Sequence, residues 1–500
     1  MRKDREGRVR AGGRRGQRTA DPTSVSQDRQ RSPMGAGGKA GVGLGGLGII
    51  GVILALLFGG GLGGGDGGST GGGSSAPVER PGGVMRDQLS TAENRELDRF
   101  LEAAVADIGD FWRVTYPDVY GGSYRPPTEV FPFSVSRNEP QLSCGGPVNA
   151  AVMNLNAIYC PAGDYITWDD EQLIASLATN NGDLSVAVVL AHEWGHSIQD
   201  SRRANVKGAT IIKELQADCF AGAWTGSVMR GETDLVEFSP SELDGALAGF
   251  LLLRDPPGTD IAAQQAHGSG FDRIGAFREG VEQGAQHCKT YETAGFPLLD
   301  FPLDEADYHG TGNLPYVEAL DAAIEDLDAF WRDTIVELTN GEDQFGLVDY
   351  RSSRSGTAEC PSRTRSEDGP IFYCEDTGSI TWDDDSIEQV HGEFGDFSIA
   401  VLLAHEYGHG IIELAGAATN SRDTELLADC LAGAWSGRVA YGESTTGLSL
   451  SAGDLDEAMS ALLRLRHPDR FGVADDINAF DRIDQFQAGF FDGANACRIP

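Results

Sequence analysis

Apolar residues recur at spacings of three and four in two stretches far apart in the chain. Leu97, Phe100, Leu101, Ala104, Ile108, Phe111 and Trp112 share one face. Val317, Leu320, Ile324, Leu327, Phe330 and Trp331 repeat the stripe. This is the period of an amphipathic helix laid on a core. Ser90 and Glu93 have capping-box spacing ahead of the first stripe. The β-prone runs Tyr165–Trp168 and Ser379–Trp382 predict short strands. The runs Val186–Ala191 and Ile399–Ala404 are apolar all round and predict buried helices. Asp183 and Asp396, each after a glycine and before such a run, suit helix N-caps.

These elements come in pairs because the chain repeats itself at an offset of about 213 residues. Asp110-Phe111-Trp112-Arg113 matches Ala329-Phe330-Trp331-Arg332. Leu190-Ala191-His192-Glu193-Trp194-Gly195-His196 matches Leu403-Ala404-His405-Glu406-Tyr407-Gly408-His409. Glu214-Leu215-Gln216-Ala217-Asp218-Cys219 matches Glu425-Leu426-Leu427-Ala428-Asp429-Cys430. Phe271-Asp272-Arg273-Ile274 matches Phe480-Asp481-Arg482-Ile483. So long a period is a tandem domain duplication, not a solenoid. The two units are expected at 88–300 and 314–500, with a linker at 301–313.

The segment ahead of them is of another kind. The chain has 500 residues and a formal net charge of −37, yet residues 1–40 carry 11 Lys/Arg against 4 Asp/Glu, a net of +7, which leaves −44 on the remaining 460. An acidic body excludes a nucleic-acid binder that works through a basic surface. Residues 1–40 have few large apolar side chains and read as a disordered basic tail. Val42 to Leu62 is a run of 21 uncharged residues, enough at about 1.5 Å each to cross some 30 Å of hydrocarbon. Residues 41–63 are therefore expected to be a transmembrane anchor, with the basic end cytoplasmic and both units extracytoplasmic. A cleaved signal peptide is the competing reading. It fits less well, because the basic region is long and no clear A-x-A site follows. Residues 64–87 are Gly/Ser-rich and read as a flexible linker.

All eight cysteines lie beyond the anchor, four per unit and in matching positions. Outside the cytoplasm that pattern predicts disulfides. Of the three connectivities open to each unit, the favoured one is Cys144–Cys160 and Cys219–Cys288, with Cys360–Cys374 and Cys430–Cys497, since the close pairs flank short loops. Zinc ligation by thiolates is the alternative, but no C-x₂-C pair occurs.

His-Glu-x-x-His on a helix sets two imidazoles one turn apart on one face, where both can reach a zinc ion. His192 and His196 are the candidate metal ligands of the first unit, and His405 and His409 those of the second. Glu193 and Glu406 are the candidate catalytic bases, able to take a proton from water and pass it to a leaving amine. A third ligand should come from a second helix. Glu214 and Glu425 are the candidates, and Asp218 and Asp429, four residues on, share their helix face. Each Asp can accept the outer N–H of a ligand histidine and set its tautomer. Trp194 and Tyr407 are read as packing beside the site.

With these motifs in view, the units resemble the bacterial neutral zinc metallopeptidases, a family of membrane-anchored proteins with an H-E-[WY]-G-H helix and an E-L-Q-A-D-C helix. The downstream E-x-x-x-D is also similar to that of the gluzincin clan. The resemblance implies an α+β fold: two tandem gluzincin-like metallopeptidase domains, each with a buried HExxH helix and a small β-sheet, after one N-terminal transmembrane helix. It implies Glu214 and Glu425 as third ligands. It also implies that an edge strand, Ile166–Trp168 or Ile380–Trp382, holds an extended peptide by β-addition. Members have a segment like His267-Gly268-Ser269, and His267 could donate a hydrogen bond to the oxyanion of a tetrahedral intermediate; a loop histidine without a role is the alternative. The second unit has Asp476-Ile477-Asn478 there, and Cys360-Pro361-Ser362 in place of Cys144-Gly145-Gly146.

The expected function is a membrane-tethered extracytoplasmic zinc endopeptidase. It would hydrolyse peptide bonds by Glu-assisted attack of zinc-bound water, with up to two zinc ions per chain and the first unit the more active. The expected partners are a peptide or protein substrate and the membrane, with no nucleic acid. Two other readings compete: a non-catalytic zinc-stabilised module that binds envelope proteins, and a zinc amidase acting on a cell-wall polymer. Intact Glu193 and Glu406 argue against the first of these, since a structural zinc site needs no base.

Overall fold

Ser90 opens the first helix as its spacing predicts. Its hydroxyl accepts the Glu93 N–H at 3.2 Å, and Glu93 Oε2 accepts the Ser90 N–H at 2.7 Å. In the computed structural model this helix, α1, runs Thr91–Tyr120 and buries Leu97, Leu101, Ala104, Ile108 and Trp112. The structure describes residues 2–3, 88–136, 142–201, 210–233, 235–260, 266–299, 313–338, 349–353, 360, 370–416, 421–465 and 477–499. The expected anchor and nearly all of the basic tail, the tether and the linker at 301–313 lie outside these residues. None of the described helices is long and apolar enough to cross a membrane. Of the tail, Arg2–Lys3 is described, paired antiparallel with Leu448–Ser449.

The fold is α+β and mostly helical. After α1 the first unit continues through β1 (Glu129–Phe133), β2 (Ala157–Cys160), β3 (Tyr165–Asp169), α2 (Leu173–Asn181), α3 (Asp183–Ser201), α4 (Thr210–Met229), α5 (Pro240–Leu252) and α6 (Gly270–Gln283). The second unit repeats the order with α7 (Tyr316–Leu338), β4 (Asp349–Ser353), β5 (Ile371–Cys374), β6 (Ser379–Asp383), α8 (Asp384–Phe394), α9 (Asp396–Leu414), α10 (Ser421–Ala440), α11 (Asp454–Leu465) and α12 (Ala479–Asp492). Asp183 and Asp396 are the first helical residues rather than caps. The preceding Gly182 and Gly395, at φ of 84° and 107°, make the turn into the helix.

The sheets correct one expectation. Their strand orders are β1-β3-β2 and β4-β6-β5. The strands expected at the edge, Ile166–Trp168 in β3 and Ile380–Trp382 in β6, are the central ones. β3 pairs parallel with β1 (Val130 opposite Ile166) and antiparallel with β2 (Tyr159 opposite Ile166). Their ladder groups face neighbours on both sides, so β-addition there is excluded. The edge beside the His-bearing helix is β2 in one unit and β5 in the other.

Glycines bring the helices behind the site into backbone contact. A Cβ on Gly222 of α4 would stand 1.9 Å from the Phe277 carbonyl of α6, and one on Gly280 would stand 1.9 Å from the Cys219 carbonyl. Gly433 and Gly489 make the same approach between α10 and α12. Disulfides Cys219–Cys288 and Cys430–Cys497 tie α4 and α10 to the segments that follow these partners. Cys144–Cys160 and Cys360–Cys374 close the sheet loops, so all four pairs are those favoured from spacing. Trp224 Nε1 donates to buried Asp107 of α1 at 2.7 Å, and Trp435 donates to Asp326 of α7 at 2.9 Å.

The units meet through a pseudo-symmetric seam. Phe271 of α6 stacks obliquely on Phe490 of α12, with ring centroids 5.0 Å apart. Asp456 of α11 accepts the Phe271 N–H at 3.0 Å. Its counterpart Asp244 of α5 accepts the Ala479 and Phe480 N–H groups at 2.7 and 3.3 Å. A continuous apolar core runs across both units.

Candidate metal centres

The apolar run that predicts a buried helix leads directly into the motif. From Leu184 to Gly195 every residue of α3 is buried, His192 and Glu193 included. α4 packs against α3 and brings Glu214 to the two rings. His192 Nε2 lies 3.1 Å from His196 Nε2 and 3.4 Å from Glu214 Oε2, and His196 Nε2 lies 3.3 Å from the same oxygen. In the second unit His405 Nε2 lies 3.1 Å from His409 Nε2 and 3.2 Å from Glu425 Oε2, whereas His409 Nε2 lies 3.5 Å from the other oxygen, Oε1. A tetrahedral ion with bonds of about 2.0–2.2 Å separates its ligand atoms by about 3.3 Å. The first triangle, closed on a single carboxylate oxygen, therefore fits zinc; the second site gathers the same donors, with its two histidines nearest different oxygens of Glu425. Two imidazole nitrogens and a carboxylate suit zinc chemically.

The outer nitrogens are held as well. Asp218 Oδ1 is 2.7 Å from His192 Nδ1, and Asp429 Oδ1 is 2.8 Å from His405 Nδ1. That contact favours a proton on Nδ1 and leaves Nε2 as the nitrogen turned toward the other histidine and the glutamate. Glu193 Oε2 accepts the main-chain N–H of Tyr159, on β2, at 2.7 Å; Glu406 Oε2 accepts that of Tyr373, on β5, at 2.7 Å. Each candidate base is thus fastened to a sheet edge. Burial lifts the Glu193 carboxyl above its usual range, against the pull of His196 and His192. Trp194 and Tyr407 are buried beside the sites; Tyr407 donates to Asp328 at 3.1 Å and Trp194 to the Tyr124 hydroxyl.

Arg273 and Arg482 belong to the sites although spacing did not single them out. The Arg273 guanidinium, 1% exposed, grips Asp218 with two bonds of 2.8 Å. Arg482 instead divides itself between Asp429, at 2.9 Å, and the candidate ligand Glu425, at 3.2 Å. The signal available was the Phe-Asp-Arg-Ile run recurring in both units.

A second difference concerns the other histidine. His196 Nδ1 meets Gln199 Oε1 at 3.0 Å; Gln199 in turn donates to the Lys213 carbonyl and to Gln216, and Gln216 donates to the Cys288 carbonyl. The equivalent positions in unit two are Ile412 and Leu427, which offer no such acceptor. Burial drives His409 down to about 4, whereas in His196 burial is outweighed by the charge and hydrogen bond of Glu214 together with the charge of Glu193, and the shift is upward.

His267 is buried just ahead of α6. Asp255 accepts its main-chain N–H at 2.6 Å and lies 3.1 Å from its Nδ1. The Glu214 carboxyl is held well below its usual range, against burial, chiefly by His196 and His192, with a smaller contribution from His267. The residue aligned with it, Asp476, lies outside the described residues.

A family model described as "Putative neutral zinc metallopeptidase" matches residues 14–291 and 316–470. The Uncharacterized protein Rv2575 of Mycobacterium tuberculosis (strain ATCC 25618 / H37Rv) is 24% identical over 253 residues, 43% of this chain and 83% of its own. The Uncharacterized protein YpfJ of Escherichia coli (strain K12) is 26% identical over 219 residues, 39% of this chain and 72% of its own. No solved structure matches.

Proposed function

The chain belongs to the neutral zinc metallopeptidase family, and on that footing we propose that it is a zinc endopeptidase with two candidate centres, the first the more active. One observation carries the reading: a His–His–Glu triangle with edges of 3.1–3.4 Å, with a second glutamate beside it held to a sheet edge.

His192, His196 and Glu214 would hold the ion, and His405, His409 and Glu425 would hold a second. Bound zinc supplies a Lewis acid that makes a carbonyl carbon more electrophilic and a water more acidic. Asp218 keeps the Nδ1 proton of His192 in place, so that Nε2 stays a donor to metal. Glu193 takes the proton of the attacking water and later gives it to the amine nitrogen that leaves. A carboxylate held beside the attacking water can take part in both halves of that task. His267, oriented by Asp255, would donate to the developing oxyanion in unit one. In unit two Arg482 competes for the Glu425 carboxylate and His409 lacks a polar partner at position 412, which supports assigning it the slower chemistry.

The tether across a membrane is proposed from residues 41–63. A tail beyond the membrane could not also pair with Leu448–Ser449, so protease accessibility of the tail in intact cells decides between the two arrangements.

The functional test is hydrolysis of casein or a peptide library by the full chain. Chelation should abolish it and zinc restore it. Glu193→Gln should lower it by about 10²-fold or more while the metal stays bound, and Glu406→Gln should lower it less. Equal losses would defeat the asymmetry. Activity untouched by chelator and by both substitutions would defeat the peptidase reading, and product masses would reveal a non-peptide amide as the substrate. Metal analysis showing two, one or zero zinc per chain counts the centres directly.

A further inference from the structure

Helix α6 begins at Gly270, and Arg273, which grips Asp218, stands within its first turn. The position of that guanidinium therefore follows the position of the helix start. Within its own unit the start is capped by Ser269, which accepts the Asp272 N–H at 3.1 Å. The Phe271 N–H is held by a residue of the other unit, Asp456, which is 4% exposed. Asp456 is itself fixed by Arg254 of unit one, with Nε 3.0 Å from Oδ2. A line of direct contacts thus runs from Asp456 through the first turn of α6 to Arg273, Asp218 and His192.

The converse line is present. Asn478 caps α12 from within by accepting the Asp481 N–H at 2.8 Å. Asp244 of unit one, 3% exposed, accepts the Ala479 and Phe480 N–H groups. Arg482 follows in the same turn and leads to Asp429 and His405. Asp244 and Asp456 occupy equivalent positions in the repeat, so the crossing is reciprocal.

We propose that Asp456 and Asp244 are positioning residues, each serving the metal centre of the unit it does not belong to. A buried carboxylate on a helix start adds a charge-assisted bond and complements the helix dipole. Here it also sets where the adjoining arginine can stand. The inference rests on reading the His–His–Glu clusters as metal centres.

The test reads the sites one at a time in the full chain. With His405→Ala and His409→Ala, competition with a chromophoric chelator reports zinc affinity at site one. With His192→Ala and His196→Ala it reports site two. Asp456→Ala should weaken zinc about tenfold at site one, in the range found for supporting residues around a metal, and leave site two unchanged. Asp244→Ala should do the reverse. Asn at either position keeps an oxygen for the N–H and should restore most of the affinity. Where an alanine variant does not fold, as judged by circular dichroism, serine replaces it. Weakening confined to the substituted unit, equal weakening of both sites, or no weakening would overturn the proposal. So would loss of the fold in both the alanine and serine variants, since the aspartates would then hold the architecture and not a site. A parent chain that binds no zinc would overturn instead the reading of the clusters as metal centres.

Discussion

Gly195 lies so close to Ala217 that a Cβ placed on it would stand 2.9 Å from the Ala217 Cα. Gly408 and Ala428 repeat the contact at 3.0 Å. The glycine of H-E-W-G-H and the alanine of E-L-Q-A-D are thus one crossing point, and the crossing delivers Glu214 to the two histidines.

Gly195→Ala should therefore push α3 and α4 apart. Backbone, not a flexible side-chain tip, receives the clash, so the expected cost is about 1–3 kcal/mol, with weaker zinc binding at site one. Thermal unfolding and chelator competition measure the two effects. An unchanged melting point together with unchanged affinity would show that the helices have room.

Gln199 is expected to matter to zinc although it cannot reach it. Gln199→Ile, which copies Ile412, should weaken site one by about 10- to 100-fold. Installing Ile412→Gln with Leu427→Gln should tighten site two. In the parent chain site two should empty first as chelator is added. Simultaneous release from both sites would count against the role given to this glutamine.

Arg273→Met leaves the Asp218 carboxylate buried without its guanidinium. Breaking such a pair costs about 3–5 kcal/mol. Arg273→Lys should recover little, because one ammonium cannot reproduce two parallel bonds. Urea unfolding midpoints decide this, and a lysine variant as stable as the parent would refute the bidentate argument.

The Cys219–Cys288 bond closes a loop with a sequence separation of 69, and Cys144–Cys160 one of 16. Chain entropy gives about 4 kcal/mol for the first and about 3 for the second. Paired alanine substitutions, compared by denaturant titration, should show that order. The longer bridge should also affect site one more, since Cys219 adjoins Asp218.

Much of this was legible along the chain because it is local. The capping box at Ser90, the stripe from Leu97 to Trp112 and the one-turn spacing of His192 and His196 are helical phases, readable from neighbours. Glu214 and Asp218 were found the same way, as two residues on one helix face. What escaped depends on contacts between distant segments. β3 could not be recognised as central, because its parallel partner Glu129–Phe133 arrives from more than thirty residues upstream. Gln199 reads as an ordinary polar residue until α4 is placed beside it. Asp244 and Asp456 look like surface acids at the start of amphipathic helices, and only the docked units reveal that both are buried.

The Tyr159 amide can serve one acceptor at a time. While Glu193 holds it, a chain sliding alongside β2 finds that rung of the ladder already taken. Such a chain would be gripped on either side of the gap but left slack at it, and a slack stretch of backbone can pivot where a fully zipped strand cannot.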